Sequence, residues 1–261
     1  MEGSTPHTGG LVVNLVNFAA FTAALALVDF SQISLSWHWL AFLAAGVFSP
    51  ALSVLFMYRS IAHLGVAPTN TIVIMHAFFG PFMALFLLGE RPHPGVWAAI
   101  AVVILGVFFL LGGGDLRKQT RYVWLPLMSA FCFGLAHNFR KIGFGGMDSL
   151  LFGGFLQGLS AAVAAPFVFK FATGGQAYVF ARASMRFFLL AGLALVLAMF
   201  SLLYALQGGQ ISRIGPILAS GPLFALILTR LMLGGREKLT PRIVGGACLI
   251  VAGVGLVASL K

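Results

Sequence analysis

Nine apolar stretches, each near the length that crosses a bilayer, constrain this chain more than any single motif. They lie at roughly 11–29, 38–64, 67–89, 94–113, 122–142, 149–173, 184–207, 213–234 and 240–259. A hydrocarbon core of roughly 30 Å needs about 20 apolar residues per helix. Backbone groups in lipid must be satisfied within a helix or a closed barrel, and these stretches run continuously instead of alternating with period two, which predicts helices. Hydrophobic residues are 60% of the chain and charged residues 8%. With a mean hydropathy of +1.01, that is more apolar surface than a soluble domain of this length hides. The expected fold class is all-α integral membrane, a bundle of about nine transmembrane helices.

The first stretch is read as a span and not as a signal peptide, because MEGSTPHTGG before it has no Lys or Arg to form an n-region. Cys132 and Cys248 sit inside apolar stretches and read as small packing residues, not as a disulfide or metal pair. The net charge of +10 is spread over short loops with no basic face, which argues against nucleic acid as a partner. Threading nine helices puts eleven Lys and Arg on the side of the N-terminus and five on the other. By the positive-inside rule the N-terminus is then cytoplasmic and the C-terminus outside.

The second half of the chain rewrites part of the first. Tyr58 to Glu90 recurs, in the same order of parts, as Tyr204 to Glu237: a Tyr ending one apolar stretch, a Gly-containing turn, a Pro-interrupted apolar stretch, then Gly with Glu and Arg beside it. A further apolar stretch follows both copies. Repeated multi-span units form pseudo-symmetric bundles that carry a solute path between them, so the repeat points to transport.

Gly89-Glu90-Arg91 before Trp97 to Leu111, and Gly235-Arg236-Glu237 before Gly245 to Leu260, complete a pattern that resembles the EamA-type repeat of the drug/metabolite transporter superfamily. Trp124 to Lys141, WLPLMSAFCFGLAHNFRK, also resembles that family's first helix. The resemblance covers nearly the whole chain and implies ten helices in two inverted five-helix repeats. Here four stretches precede Gly112 and five follow it, so the family's first helix is expected to be absent. Either the chain starts at an internal Met of a longer product or it is a nine-span variant. The expected division is residues 1–113 as the first repeat, 114–121 as the loop between repeats and 122–261 as the second repeat. The resemblance also implies that both termini are cytoplasmic, against the charge count, and the orientation stays open.

Polar residues at membrane depth are costly unless they face protein, water or solute, which makes them the candidate site. The third stretch carries Asn70 and His76 ahead of Gly80-Pro81; the sixth carries Gln157; the seventh carries Tyr204; and the eighth repeats the Pro-broken character at Pro216 and Pro222. The expected solute-binding residues are His76, Asn70, Tyr204, Gln157, Pro81 and Pro222, with the two Pro-broken helices facing each other across a central cavity. Each has a plainer reading: a buried His bonds helix to helix, Pro shapes packing, and Tyr joins the interfacial aromatic belt. His137 and Asn138, beside Arg140 and Lys141, read as near a membrane surface. Glu90 and Glu237 read as loop caps beside an Arg.

No converging nucleophile, carboxylate pair or metal-ligand set lies at depth, so no enzyme activity, cofactor or metal is expected. Gly112-Gly113-Gly114 lacks a P-loop Lys. Gly154 and Gly158, and Gly245, Gly246, Gly253 and Gly255, form small-residue faces that serve helix contacts within the chain or a homodimer. The expected function is a secondary transporter of small organic metabolites or drugs, an exporter working by alternating access in a bacterial-type inner membrane. Its partners are a small-molecule solute and the lipid bilayer. The alternative is a non-transporting membrane sensor or assembly subunit that retains the bundle.

Overall fold

The computed structural model describes residues 6–28, 33, 36–111, 120–173, 178–224, 227 and 241–259. Among the described residues there is no strand. In chain order the helices are α1 (Pro6–Ala24), α2 (His38–Gly46), α3 (Ser53–Leu64), α4 (Val66–Val73), α5 (His76–Leu87), α6 (Pro94–Leu111), α7 (Trp124–Phe144), α8 (Leu150–Thr173), α9 (Arg182–Gly208), α10 (Ile211–Leu218) and α11 (Pro241–Ser259).

Six helical segments among the described residues are long and apolar enough to cross a membrane: Thr8–Leu27, His38–Leu64, Pro68–Leu87, Leu150–Val168, Ser184–Gly208 and Pro241–Ser259. The stretches expected at 94–113 and 122–142 form α6 and α7. α7 has 21 residues, enough to span, but gathers His137, Asn138, Arg140 and Lys141 in its C-terminal half. Most of the expected inter-repeat loop at 114–121, the end of the stretch at 213–234, and Gly235 to Glu237 lie outside the described residues.

Three expected spans are interrupted. A wide helical turn, Val47–Leu52, separates α2 from α3. α4 stops at Val73 and α5 starts at His76, five residues before the proline expected to bend the stretch. Pro81 has no N–H for the Ala77 carbonyl. One turn earlier the chain uses tighter bonds, from the Ala77 N–H to the Ile74 carbonyl and from the Phe78 N–H to the Met75 carbonyl. α10 ends at Leu218, and a turn at Ala219 and Ser220 precedes a helical piece at 221–224 containing Pro222.

The chain forms two compact units, Met1–Tyr58 with Leu135–Gly209, and Arg59–Gly134 with Gln210–Lys261. Each takes segments from both halves of the sequence, and the chain passes from one unit to the other within α3 and within α7. In the first unit α1 packs on α8 and α9, and α2 packs on α8. The Gly154/Gly158 pair is used there. A Cβ on Gly154 would collide with the Phe21 ring, and one on Gly158 would come 3.2 Å from the Phe18 Cα, so both glycines admit α1. In the second unit α11 lies along α6 and α10 along α5. Ile74, Ala77, Val103, Val107, Ala219 and Ile250 form its buried apolar core. Gly246 and Gly253 face α6, while Gly245 and Gly255 have open space around their Cβ positions.

Candidate functional site

The residue before a proline is driven out of the α region by the proline ring. Ser49, before Pro50, is extended at φ −148°, ψ 118° inside the turn that divides α2 from α3. In a regular helix its carbonyl would accept the Ser53 N–H. That N–H turns instead to the Phe48 and Pro50 carbonyls, leaving the Ser49 oxygen for another group.

Arg140 of α7 takes it. Its Nη2 donates to the Ser49 carbonyl at 3.1 Å, its Nε donates to Gln157 Oε1 at 2.5 Å, and its Nη1 lies 2.9 Å from His137 Nδ1. Arg140 has 0% exposure, Gln157 1% and His137 6%. The Gln157 Nε2 lies 3.4 Å from Met199 Sδ on α9. A guanidinium is thus fully enclosed by neutral acceptors from α7, α8 and the turn at Ser49.

The sequence reading put His137 and Asn138, beside Arg140, near a membrane surface; in the fold all three are enclosed by protein. α7 continues to Phe144, so Arg140 lies a full turn inside the helix, and Asn138 is 0% exposed. Lys141, one residue on, points elsewhere: its Nζ donates to the Leu206 and Gln207 carbonyls at 2.9 and 3.3 Å, closing the C-terminal end of α9.

Of the six expected solute-binding residues, Gln157 and Tyr204 belong to this first unit. Tyr204 is 70% exposed and lines a cleft of about 600 Å³ with Leu27, Asp148, Phe200 and Gln207. Gln207 Nε2 donates to the Asp148 carbonyl at 2.6 Å.

The other four lie in the second unit. Asn70 is on α4, and His76 opens α5 with its ring 6.0 Å from that of Phe133. The break at Ile74 and Met75 falls between them, so the angle between them on one ideal helix does not apply. Pro81 is buried on α5. A Cβ built on Gly215 of α10 would lie 3.5 Å from the Pro81 ring and 3.3 Å from the Ala77 carbonyl. At this level the two proline-containing helices touch, and no cavity separates them. Pro222 is half-buried in the piece after α10.

Glu90 works as a cap. Gly89, at φ 65°, ends α5 in the left-handed region that glycine adopts without strain. Glu90 then bonds back through its N–H to the Ala84 carbonyl at 3.1 Å. Its carboxylate accepts the Ile211 and Ser212 N–H groups at 2.9 and 3.1 Å, at the N-terminus of α10. Among the described residues no group of three His, Cys, Asp or Glu side chains is placed to hold a metal.

The EamA-like transporter family matches residues 7–112 and again 120–259. The chain belongs to that family. It is therefore an integral, multi-pass membrane protein of a family that transports small solutes. A solved crystal structure is similar to this EamA-like chain, with a TM-score of 0.78 over 97% of this chain and 87% of its own, at 17% identity. At that identity the likeness shows the fold alone. Among curated proteins none matches significantly. The two matched segments follow the two halves of the sequence, whereas each compact unit mixes them.

Proposed function

We propose that this EamA-like chain is a secondary transporter exporting small organic metabolites or drugs across a bacterial-type inner membrane by alternating access between its repeats. The observation that carries this reading is the buried cluster of Arg140, His137 and Gln157 at the break beside Ser49. Charged and polar groups enclosed in a membrane bundle mark solute paths, and discontinuous helices are where carriers expose the main-chain groups that hold substrate. The family assignment supports solute movement, and the export direction rests on the resemblance to the drug/metabolite transporter superfamily alone. In this reading Gln157 and Tyr204 of the first unit line the solute path. His76, Asn70, Pro81 and Pro222 are proposed solute-binding residues of the second unit.

Efflux tests this. Cells expressing the chain are loaded with amino acids, nucleosides and cationic dyes, and loss of each solute is followed. At least one solute is expected to leave faster than from cells lacking the chain, with Tyr204→Ala slowing that loss at unchanged membrane level. A stably inserted chain that moves no solute overturns the proposal.

A further inference from the structure

Among the described residues no carboxylate balances the buried guanidinium of Arg140. Glu90 and Asp148 are the side-chain carboxylates among the described residues. Glu90 holds the end of α10, and Asp148 is exposed. The three groups around Arg140 are an amide oxygen, an imidazole nitrogen and a main-chain carbonyl, and each is uncharged or able to be so. A cation enclosed without a counter-charge is destabilising, and a fold that keeps one in a membrane bundle has a use for it.

The hydrogen-bond count agrees with the charge count. A guanidinium has five N–H donors, and three are engaged here. Among the described residues, one N–H on each Nη atom has no acceptor. Two such donors on one planar group match the two oxygens of a carboxylate.

We propose that Arg140 is the binding residue for a carboxylate on the transported solute, which makes that solute a small organic monoanion. The inference rests on the transporter reading above. One positive charge calls for one negative charge, and the adjacent cation, Lys141, is engaged with the end of α9, so a dianionic phosphate is less well matched than a carboxylate. Entry needs the enclosure to open, and the Ser49 carbonyl is the acceptor to yield. It comes from a turn outside the regular helix, and exchanging a neutral acceptor for a charged one strengthens the bond. The cation and the broken helix thus act together.

The purified chain in lipid nanodiscs is heated with propionate or benzoate, and separately with propionamide, benzamide, chloride and inorganic phosphate at matched ionic strength. The carboxylates are expected to raise the unfolding midpoint saturably by several degrees, and the amides and chloride to leave it unmoved. Arg140→Gln is expected to lose that rise. Where it fails to fold, Gln157→Glu answers the same question. It supplies a carboxylate to Arg140 from within, so it raises the ligand-free midpoint and abolishes the response to added carboxylates.

A native chain with no carboxylate response, an undiminished response in Gln157→Glu, or a stronger response to phosphate than to carboxylates overturns the proposal. Transport in proteoliposomes separates it from the reading beneath it. If amides or dyes move while carboxylates neither move nor stabilise, the anion proposal falls and the transporter reading stands. If carboxylates stabilise and no solute moves, the anion site is supported and the transport reading falls.

Discussion

Replacing Gly106 by Ala tests whether main chain meets main chain between α6 and α11. A Cβ at Gly106 would stand 2.8 Å from both the Gly246 carbonyl oxygen and the Ile250 amide nitrogen, where ordinary van der Waals contact starts at 3.4 Å. Neither atom can swing aside as a side chain would, so the helices must separate. Separation loosens Val103, Val107 and Ile250, all at most 0% exposed, and the dispersion contacts between them weaken steeply with distance. Overpacking of this kind costs about 1–3 kcal/mol. At about 2–4 °C per kcal/mol for chains near this size, the unfolding midpoint falls by roughly 2–12 °C.

Alanine also removes the flexibility of a helical glycine, a gain of about 0.5–1 kcal/mol. Gly245→Ala and Gly255→Ala on α11 isolate that gain, since nothing lies within 4 Å of either Cβ position. Both are expected to be neutral or slightly stabilising. Gly253→Ala falls between, because the nearest atom to its Cβ is the Val103 side chain at 2.6 Å, with Ala99 main chain at 3.1 Å. The assay is thermal unfolding of the purified proteins in one detergent, followed by size-exclusion of the heated samples. A Gly106→Ala chain as stable as Gly245→Ala would refute the reasoning.

Glu90→Gln removes the charge from the N-terminus of α10 and presents an amide where two N–H groups need an acceptor; a loss of about 1–2 kcal/mol is expected, read as a lower melting midpoint that Glu90→Asp partly restores. Lys141→Met leaves the Leu206 and Gln207 carbonyls without their donor. Faster amide hydrogen exchange is expected over the last turn of α9, with α1 unaffected, and uniform change across both helices would contradict the local role.

Apolar length made the helices legible, because a span long enough for lipid satisfies its backbone only as a helix. Their interruptions were less so. The stretch at 38–64 reads as one span, yet Pro50 drives Ser49 out of it. In the third stretch, the proline that was read as the bend stays inside α5, and the turn moves back to Ile74 and Met75. Small-residue faces were legible as a type but not by phase. Of four glycines named on α11, helical rotation turns Gly246 and Gly253 toward α6 and the other two away. Sequence spacing alone does not say which face has a neighbour.

The sharpest contrast is between Glu90 and Arg140, two charges that each lie near the end of an apolar stretch. Glu90 was read as a loop cap and Arg140 as near a membrane surface; in the fold Glu90 caps the start of α10, while Arg140 is enclosed by Gln157, His137 and the Ser49 carbonyl. The difference lies in where the helix stops. Gly89 comes directly before Glu90 and ends α5, so the carboxylate leaves its own helix and is free to reach the N–H groups of α10. Arg140 is followed by Lys-Ile-Gly-Phe, and α7 continues to Phe144 before the turn at Gly145 and Gly146. The guanidinium therefore stays in register, one turn from His137, on a face that the fold covers with Gln157. That glutamine was singled out as costly in an apolar stretch. Its partner, 17 positions earlier, is set by how α7 and α8 pack, and no spacing rule within either helix contains it. A polar residue in a span thus announces that a partner exists, and the nearest stop signal decides whether a neighbouring charge is available to be that partner.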